Sequence, residues 1–267
     1  MYRIRAALVA AVAALSLLLA LASGASAAYP TKMTSLGDSI TRAFQTCPTA
    51  FTDCPENSWS TGTNTKVKSI FLRVKEHNAS ATATNRAVSG AKVASLNKEA
   101  TEAVTDKADF VTILIGSNDA CANPPTTQAV FKASFQEAIN TLKKGLPGAR
   151  ISVSSLPNLM YLWKLLHTNK EAVAKWEAFN LCPGIMTEPT SEGEAAKARR
   201  QATLTAEENY DTTMQNICAA TTNCQYDGGQ FFKTEFAVSE VSPVDFFHPS
   251  ITGQAALAAG ANSLLVF

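Results

Sequence analysis

Residues 110–115 read Phe-Val-Thr-Ile-Leu-Ile, and this run constrains the chain more than any other segment. It is β-branched and aromatic with no polar alternation, the pattern of a strand buried on both faces. Such strands belong to parallel sheets covered by helices on each side. The neighbouring segments fit that arrangement. Strand-like stretches at 32–36 and 81–88 precede the run, and one at 150–156 follows it, stopped by Pro157. Helical spacing fills the intervals at 65–76, 93–105, 127–145, 159–179, 192–218 and 251–265, with Val130, Phe131, Phe135, Ile139 and Leu142 on one face of the third. A last short strand is expected at Phe231 and Phe232. The expected class is α/β, and in such sheets sites form at the carboxyl ends of strands.

The first 27 residues do not fit this alternation. Arg3 and Arg5 precede a run, 6–21, that is apolar except for Ser16, and the small triplet Ala25-Ser26-Ala27 follows. A positive start, an apolar middle and an A-x-A end are the parts of a secretory signal peptide. The rival, an N-terminal anchor, calls for about 20 apolar residues, and this run is slightly short. Residues 1–27 are therefore expected to be a removed leader, residues 28–267 a single exported domain. No later stretch is apolar enough to span a membrane. The 23 basic and 22 acidic side chains give a net charge of +1, which offers no footprint for sequence-independent nucleic-acid binding.

Six cysteines, all after residue 27, agree with export. Six allow 15 pairings. Short spacings suggest Cys47–Cys54 and Cys218–Cys224, leaving Cys121–Cys182. A metal site would want paired C-x-x-C or Cys/His clusters, and a redox role a C-x-x-C; neither is present, so no metal is expected.

Polar residues gather where the expected strands end. Ser39 follows the first strand, between Asp38 and an expected helix start at Ile40-Thr41-Arg42. Gly90 follows the second, and Asn118, in Gly-Ser-Asn-Asp, follows the third. Ser39 there suits either a nucleophile or a helix cap. Gly90 and Asn118 suit either turns or oxyanion donors. Of the three histidines, His77 ends a charged helix and His167 sits beside Leu165 and Leu166. His248 differs, with Asp245 three residues earlier. A carboxylate so placed can fix the tautomer of a general base, or it can cap a turn.

Gly37-Asp38-Ser39-Ile40, Gly90, Gly116-Ser117-Asn118-Asp119 and Asp245-Phe246-Phe247-His248-Pro249 resemble, in order and spacing, the blocks of the SGNH (GDSL-type) hydrolases. The resemblance runs from about Thr34 to Ala258. Leu162-Trp163, Asn180-Leu181-Cys182 and Arg199-Arg200 further resemble secreted actinobacterial members of the phospholipase B-like branch. It implies a flavodoxin-like three-layer α/β/α sandwich with a central parallel sheet of about five strands. It also implies Ser39 as nucleophile, His248 as base and Asp245 as its orienter, a role a backbone carbonyl can also fill. Oxyanion donors would be Ser39 N–H, Gly90 N–H and the Asn118 amide; Asp38 and Asp119 would shape turns.

The expected function is a secreted serine esterase or lipase, with no cofactor, acting as a monomer on a small-molecule or lipid ester. Phe44, Trp59, Trp163, Phe246 and Phe247 are candidates to line an acyl site, with core packing the more common use of each taken singly. Alternatives are a polysaccharide O-deacetylase and an exported binding protein that does not turn over.

Overall fold

The computed structural model describes residues 29–264. The expected leader and its cleavage site lie outside the described residues. Among the described residues no helix is long and apolar enough to cross a membrane.

Five strands form one parallel sheet: β1 (Lys32–Gly37), β2 (Thr82–Asn85), β3 (Phe110–Leu114), β4 (Arg150–Val153) and β5 (Cys224–Tyr226), in the order β2-β1-β3-β4-β5. All five residues of β3 are buried, as a strand without polar alternation requires, and Thr112 Oγ1 pairs with Ser60 Oγ at 2.6 Å. The connections run through α1 (Ile70–His77), α2 (Leu96–Asp106), α3 (Ser117–Cys121), α4 (Gln128–Gly145), α5 (Leu159–Leu166), α6 (Lys170–Ala178), α7 (Pro183–Met186) and α8 (Glu194–Ala219), with α9 (Ile251–Gly260) closing the fold. Helices α2, α4 and α8 pack in series. Arg73 of α1 donates to Asn262, just beyond α9, at 2.8 Å. This is the expected three-layer α/β architecture. The strand order reverses between β1 and β3, the switch point where sites form in open α/β sheets.

Four local expectations change. Phe231 and Phe232 are not a strand; the fifth strand is Cys224–Tyr226. Phe231 instead fills the core edge-on to Trp59, with ring centroids 5.2 Å apart. The helix expected at 159–179 is two, because Asn169 accepts the Glu171 and Ala172 N–H groups and starts α6 afresh. The helix expected from residue 65 begins only at Ile70, capped by Ser69. No helix follows Ser39. Residues 39–45 form successive turns, with Ala43 and Gln45 at positive φ.

The three cysteine pairs are bonded as spacing suggested: Cys47–Cys54, Cys121–Cys182 and Cys218–Cys224. Cys121–Cys182 joins residues 61 apart and fastens the end of α3 to the start of α7. Replacing both by serine is expected to lower the unfolding free energy by about 4 kcal/mol on the chain-entropy account. A denaturant titration checks this; a loss under about 1 kcal/mol would show that packing alone holds the junction.

Candidate active site

The turn after β1 is made by close backbone approach. Gly37, at φ +142°, lies beside Leu114 of β3, and a Cβ there would stand 2.2 Å from the Leu114 carbonyl oxygen. Only glycine fits. Its N–H donates to Glu99 Oε2 at 2.7 Å. One residue on, Asp38 Oδ1 accepts the Ile40 N–H at 2.9 Å, and Asp38 O accepts the Arg42 N–H at 3.1 Å. Gln254 of α9 donates to Ile40 O at 2.8 Å and accepts the Trp59 N–H at 2.9 Å. Ser39 is thus held at the carboxyl end of the sheet by bonds to its neighbours on both sides.

His248 reaches Ser39 from a separate loop, 209 residues away in sequence. Its Nε2 lies 2.9 Å from Ser39 Oγ and its Nδ1 2.6 Å from Asp245 Oδ2. Asp245 makes both kinds of contact open to it. Oδ2 faces the imidazole, while Oδ1 accepts the backbone N–H groups of Phe247 (3.0 Å) and His248 (3.1 Å). Phe246, at φ +53°, makes the bend that allows this. The loop is pinned outside the bend as well. Ser242 N–H donates to His248 O at 2.8 Å, and the Trp176 indole donates to Phe246 O at 3.0 Å. Burial alone would raise the Asp245 carboxyl, but the hydrogen bond and charge of His248, with the two N–H donors, hold it below the usual carboxylate range.

These side chains open into a pocket of about 470 Å³, lined among others by Ser39, Gly90, Asn118, Phe247 and His248. Asn118 Nδ2 donates one hydrogen to Ala91 O at 2.9 Å, and a primary amide carries a second. Gly90 is at φ +82°, with open space where a Cβ would stand. Asn180, Leu181, Cys182 and Pro183 build another part of the pocket wall.

Residues 33–261 match the family model of GDSL-like lipases and acylhydrolases. The chain belongs to this family, and it is an ester hydrolase. No curated protein matches it. Its fold is similar to that of LAE5, an alpha/beta hydrolase enzyme from the metagenome of Lake Arreo, Spain, at 14% identity and a TM-score of 0.55, over 88% of this chain and 95% of that one. An acetyl xylan esterase, AlAXEase, has 15% identity and a TM-score of 0.54, over 88% of this chain and 100% of that one. At such identities the likeness concerns the fold alone.

Of the five aromatic residues considered for an acyl site in this GDSL-like hydrolase, two line the pocket. Phe247 is one. Phe44 is the other, edge-on to His248 at 5.0 Å. Trp59 is fully buried and donates to Thr41 Oγ1. Trp163 donates to Pro189 O and carries the Arg200 guanidinium over its ring. Phe246 is buried beside the bend. These three are packing residues.

Two features around the site had no reading in the sequence. Arg42 Nε (2.9 Å) and Ser89 Oγ (2.5 Å) both donate to Asp53, which ties the loop after Ser39 to the loop bearing Gly90. Glu99 is the other. It stands on the buried stripe of α2 with Leu96, Ala100 and Ala103, and an acid on an apolar stripe was its available signal. Burial pushes its carboxyl up to about 8, against the opposing Gly37 hydrogen bond, and burial likewise pushes Asp38 up to about 7.

A carboxyl raised on folding is bound to its proton more tightly in the native state. Its stabilising contribution is complete below the unfolded value and is lost as pH rises through the folded one. Glu99→Gln keeps an oxygen for the Gly37 N–H but cannot ionise. Its melting temperature minus that of the parent is therefore expected to rise by several degrees between pH 5 and pH 8, at roughly 2–4 °C per kcal/mol for a chain of this size. A difference that does not change with pH would show that folding does not raise the Glu99 carboxyl.

Proposed function

We propose that the chain is an exported serine carboxylester hydrolase that works through an acyl-enzyme on Ser39. The observation that carries this is the continuous relay from Ser39 Oγ through His248 to Asp245 Oδ2, opening into the pocket beside Asn118. Ser39 Oγ attacks the acyl carbonyl carbon as its proton passes to His248 Nε2. Asp245 holds the Nδ1 proton and stabilises the imidazolium. The N–H groups of Ser39 and Gly90 and the second amide hydrogen of Asn118 serve the tetrahedral oxygen. Collapse expels the alcohol, which takes its proton from His248. Water, deprotonated by the same nitrogen, then repeats the sequence on the acyl-enzyme and releases the acid. Every step uses side chains and backbone of this chain.

Three disulfides and the leader-like residues 1–27 support export. The apolar faces of Phe44, Phe247 and Leu181 in the pocket support an acyl chain as the group bound beside Ser39. The likeness to an acetyl xylan esterase, though of fold alone, keeps a second reading in view, removal of acetyl groups from a polysaccharide. Initial rates on acetylated xylan, a medium-chain triglyceride emulsion and a phospholipid separate the two. The proposal expects the lipid esters to be turned over faster; acetylated xylan as the sole substrate would reverse it.

Asn118→Ala is expected to lower kcat by about 10²–10³-fold with little change in KM, the usual cost of one oxyanion donor. Steady-state kinetics on a soluble p-nitrophenyl ester check this. A change in KM alone would make Asn118 a ground-state contact.

A further inference from the structure

Exposed apolar side chains gather on the segments that build the walls of the catalytic pocket. Among the described residues five large hydrophobic side chains are exposed: Phe51, Val88, Val130, Phe179 and Val238. Three of them are tied to residues that line this opening, two as chain neighbours and one by ring contact. Phe179 immediately precedes Asn180 and Leu181 of the pocket lining, and Val88 immediately precedes Ser89 and Gly90 of the same lining. Phe51 stands edge-on to Phe179, with ring centroids 5.1 Å apart. Its loop is joined to the Val88 side through the Ser89–Asp53 hydrogen bond. The exposures are 53% for Phe51, 55% for Val88 and 39% for Phe179, so each shows a large apolar area to solvent.

These residues are held out rather than left loose. Cys47–Cys54 closes the loop that carries Phe51, whose N–H donates to Gln45 Oε1 at 2.7 Å. Cys121–Cys182 anchors the segment that follows Phe179. A rigid aromatic pair in water keeps its hydration cost without a compensating core contact. Charge around the rim is close to balanced. Lys92 is exposed at the pocket edge, and Lys175 Nζ lies 5.7 Å from the Phe179 ring. Glu177 is exposed near Phe179, and Asp53 is occupied by Arg42 and Ser89. A near-neutral rim with separate cations around an apolar centre matches a zwitterionic phospholipid surface, with acyl tails for the rings and phosphates for the lysines.

We propose that Phe51, Val88 and Phe179 form a docking rim that seats the pocket mouth on a zwitterionic lipid–water surface. This rests on the ester-hydrolase reading of Ser39 for its purpose, but not for its measurement. Binding is read with the Ser39→Ala chain, so that vesicles stay intact, by sedimentation with phosphatidylcholine vesicles. The Phe51→Ser, Phe179→Ser double variant in that background is expected to partition at least about tenfold more weakly, and Val130→Ser to partition unchanged. With Ser39 restored, the double variant is expected to keep kcat/KM on soluble p-nitrophenyl butyrate within about twofold, as surface substitutions do.

No partition by the Ser39→Ala chain, or equal partition by the double variant, overturns the rim. So does weaker partition accompanied by an equal loss on the soluble ester, because that reports general damage. Phe-dependent partition by a chain that hydrolyses no ester would leave the rim standing and overturn the function of Ser39 instead.

Discussion

Ser39→Ala is expected to lower kcat on a soluble ester by about 10⁵–10⁶-fold, with KM changed by no more than a few-fold. The size follows from how much of the reaction passes through one oxygen. Alanine removes the proposed nucleophile, and with it the proton that His248 Nε2, 2.9 Å away, would take in that reading. His248→Ala is expected to cost nearly as much, because an unactivated serine hydroxyl is a poor nucleophile. The double variant is expected to be little worse than either single one, since residues that act as a unit do not add. Ser39 lies in a turn fastened by Asp38, Gln254 and the Gly37–Leu114 approach. Loss of the hydroxyl leaves that framework intact, so the melting temperature should move little. An Ser39→Ala chain that keeps more than a hundredth of the parent's kcat would remove Ser39 from the mechanism.

Asp245→Asn carries the second largest effect, about 10³–10⁴-fold in kcat. Asparagine can keep one oxygen on the Phe247 and His248 N–H groups, so the bend survives. Its NH₂ then faces Nδ1, where the carboxylate oxygen now lies at 2.6 Å. An amide donor there favours the tautomer with hydrogen on Nε2, and that nitrogen can no longer accept the serine proton. Asp245→Ala loses the cap as well and is expected to lower the melting temperature, which Asp245→Asn should not. A loss below tenfold for Asp245→Asn would mean that a backbone carbonyl can orient the base and that the carboxylate mainly caps the turn.

The sheet was legible because β3 carries a pattern with few rivals. β5 was not, because Cys224–Tyr226 is a three-residue strand at the sheet edge and has no period to read. Phe231 and Phe232 have the right residue types for a strand, but Phe231 is spent on packing against Trp59. The helix expected after Ser39 failed for a related reason. Turns at Ala43 and Gln45 fold that segment back, so that Cys54 N–H reaches Arg42 O, a long-range bond that local propensity cannot register.

At the site, Ser39, Gly90, Asn118, Asp245 and His248 could be singled out because each sits at a strand end or in a short motif. The structure shows how they stand to one another. The Arg42–Asp53–Ser89 tie was invisible, since it joins common surface residue types from separate loops. Trp59 and Trp163 take the core-packing alternative; a tryptophan in sequence carries no mark of whether it faces a core or a pocket.

The central claim is that Ser39 Oγ is the atom that carries the acyl group. The most direct measurement is incubation of the full chain with a p-nitrophenyl alkylphosphonate, followed by proteolysis and mass mapping of the adduct. One phosphonyl group per chain is expected, on the peptide containing Gly37-Asp38-Ser39, with hydrolysis lost in proportion and no adduct on Ser39→Ala. Retained hydrolysis after exposure to the probe, or an adduct on a different serine that tracks the loss of activity, would contradict it.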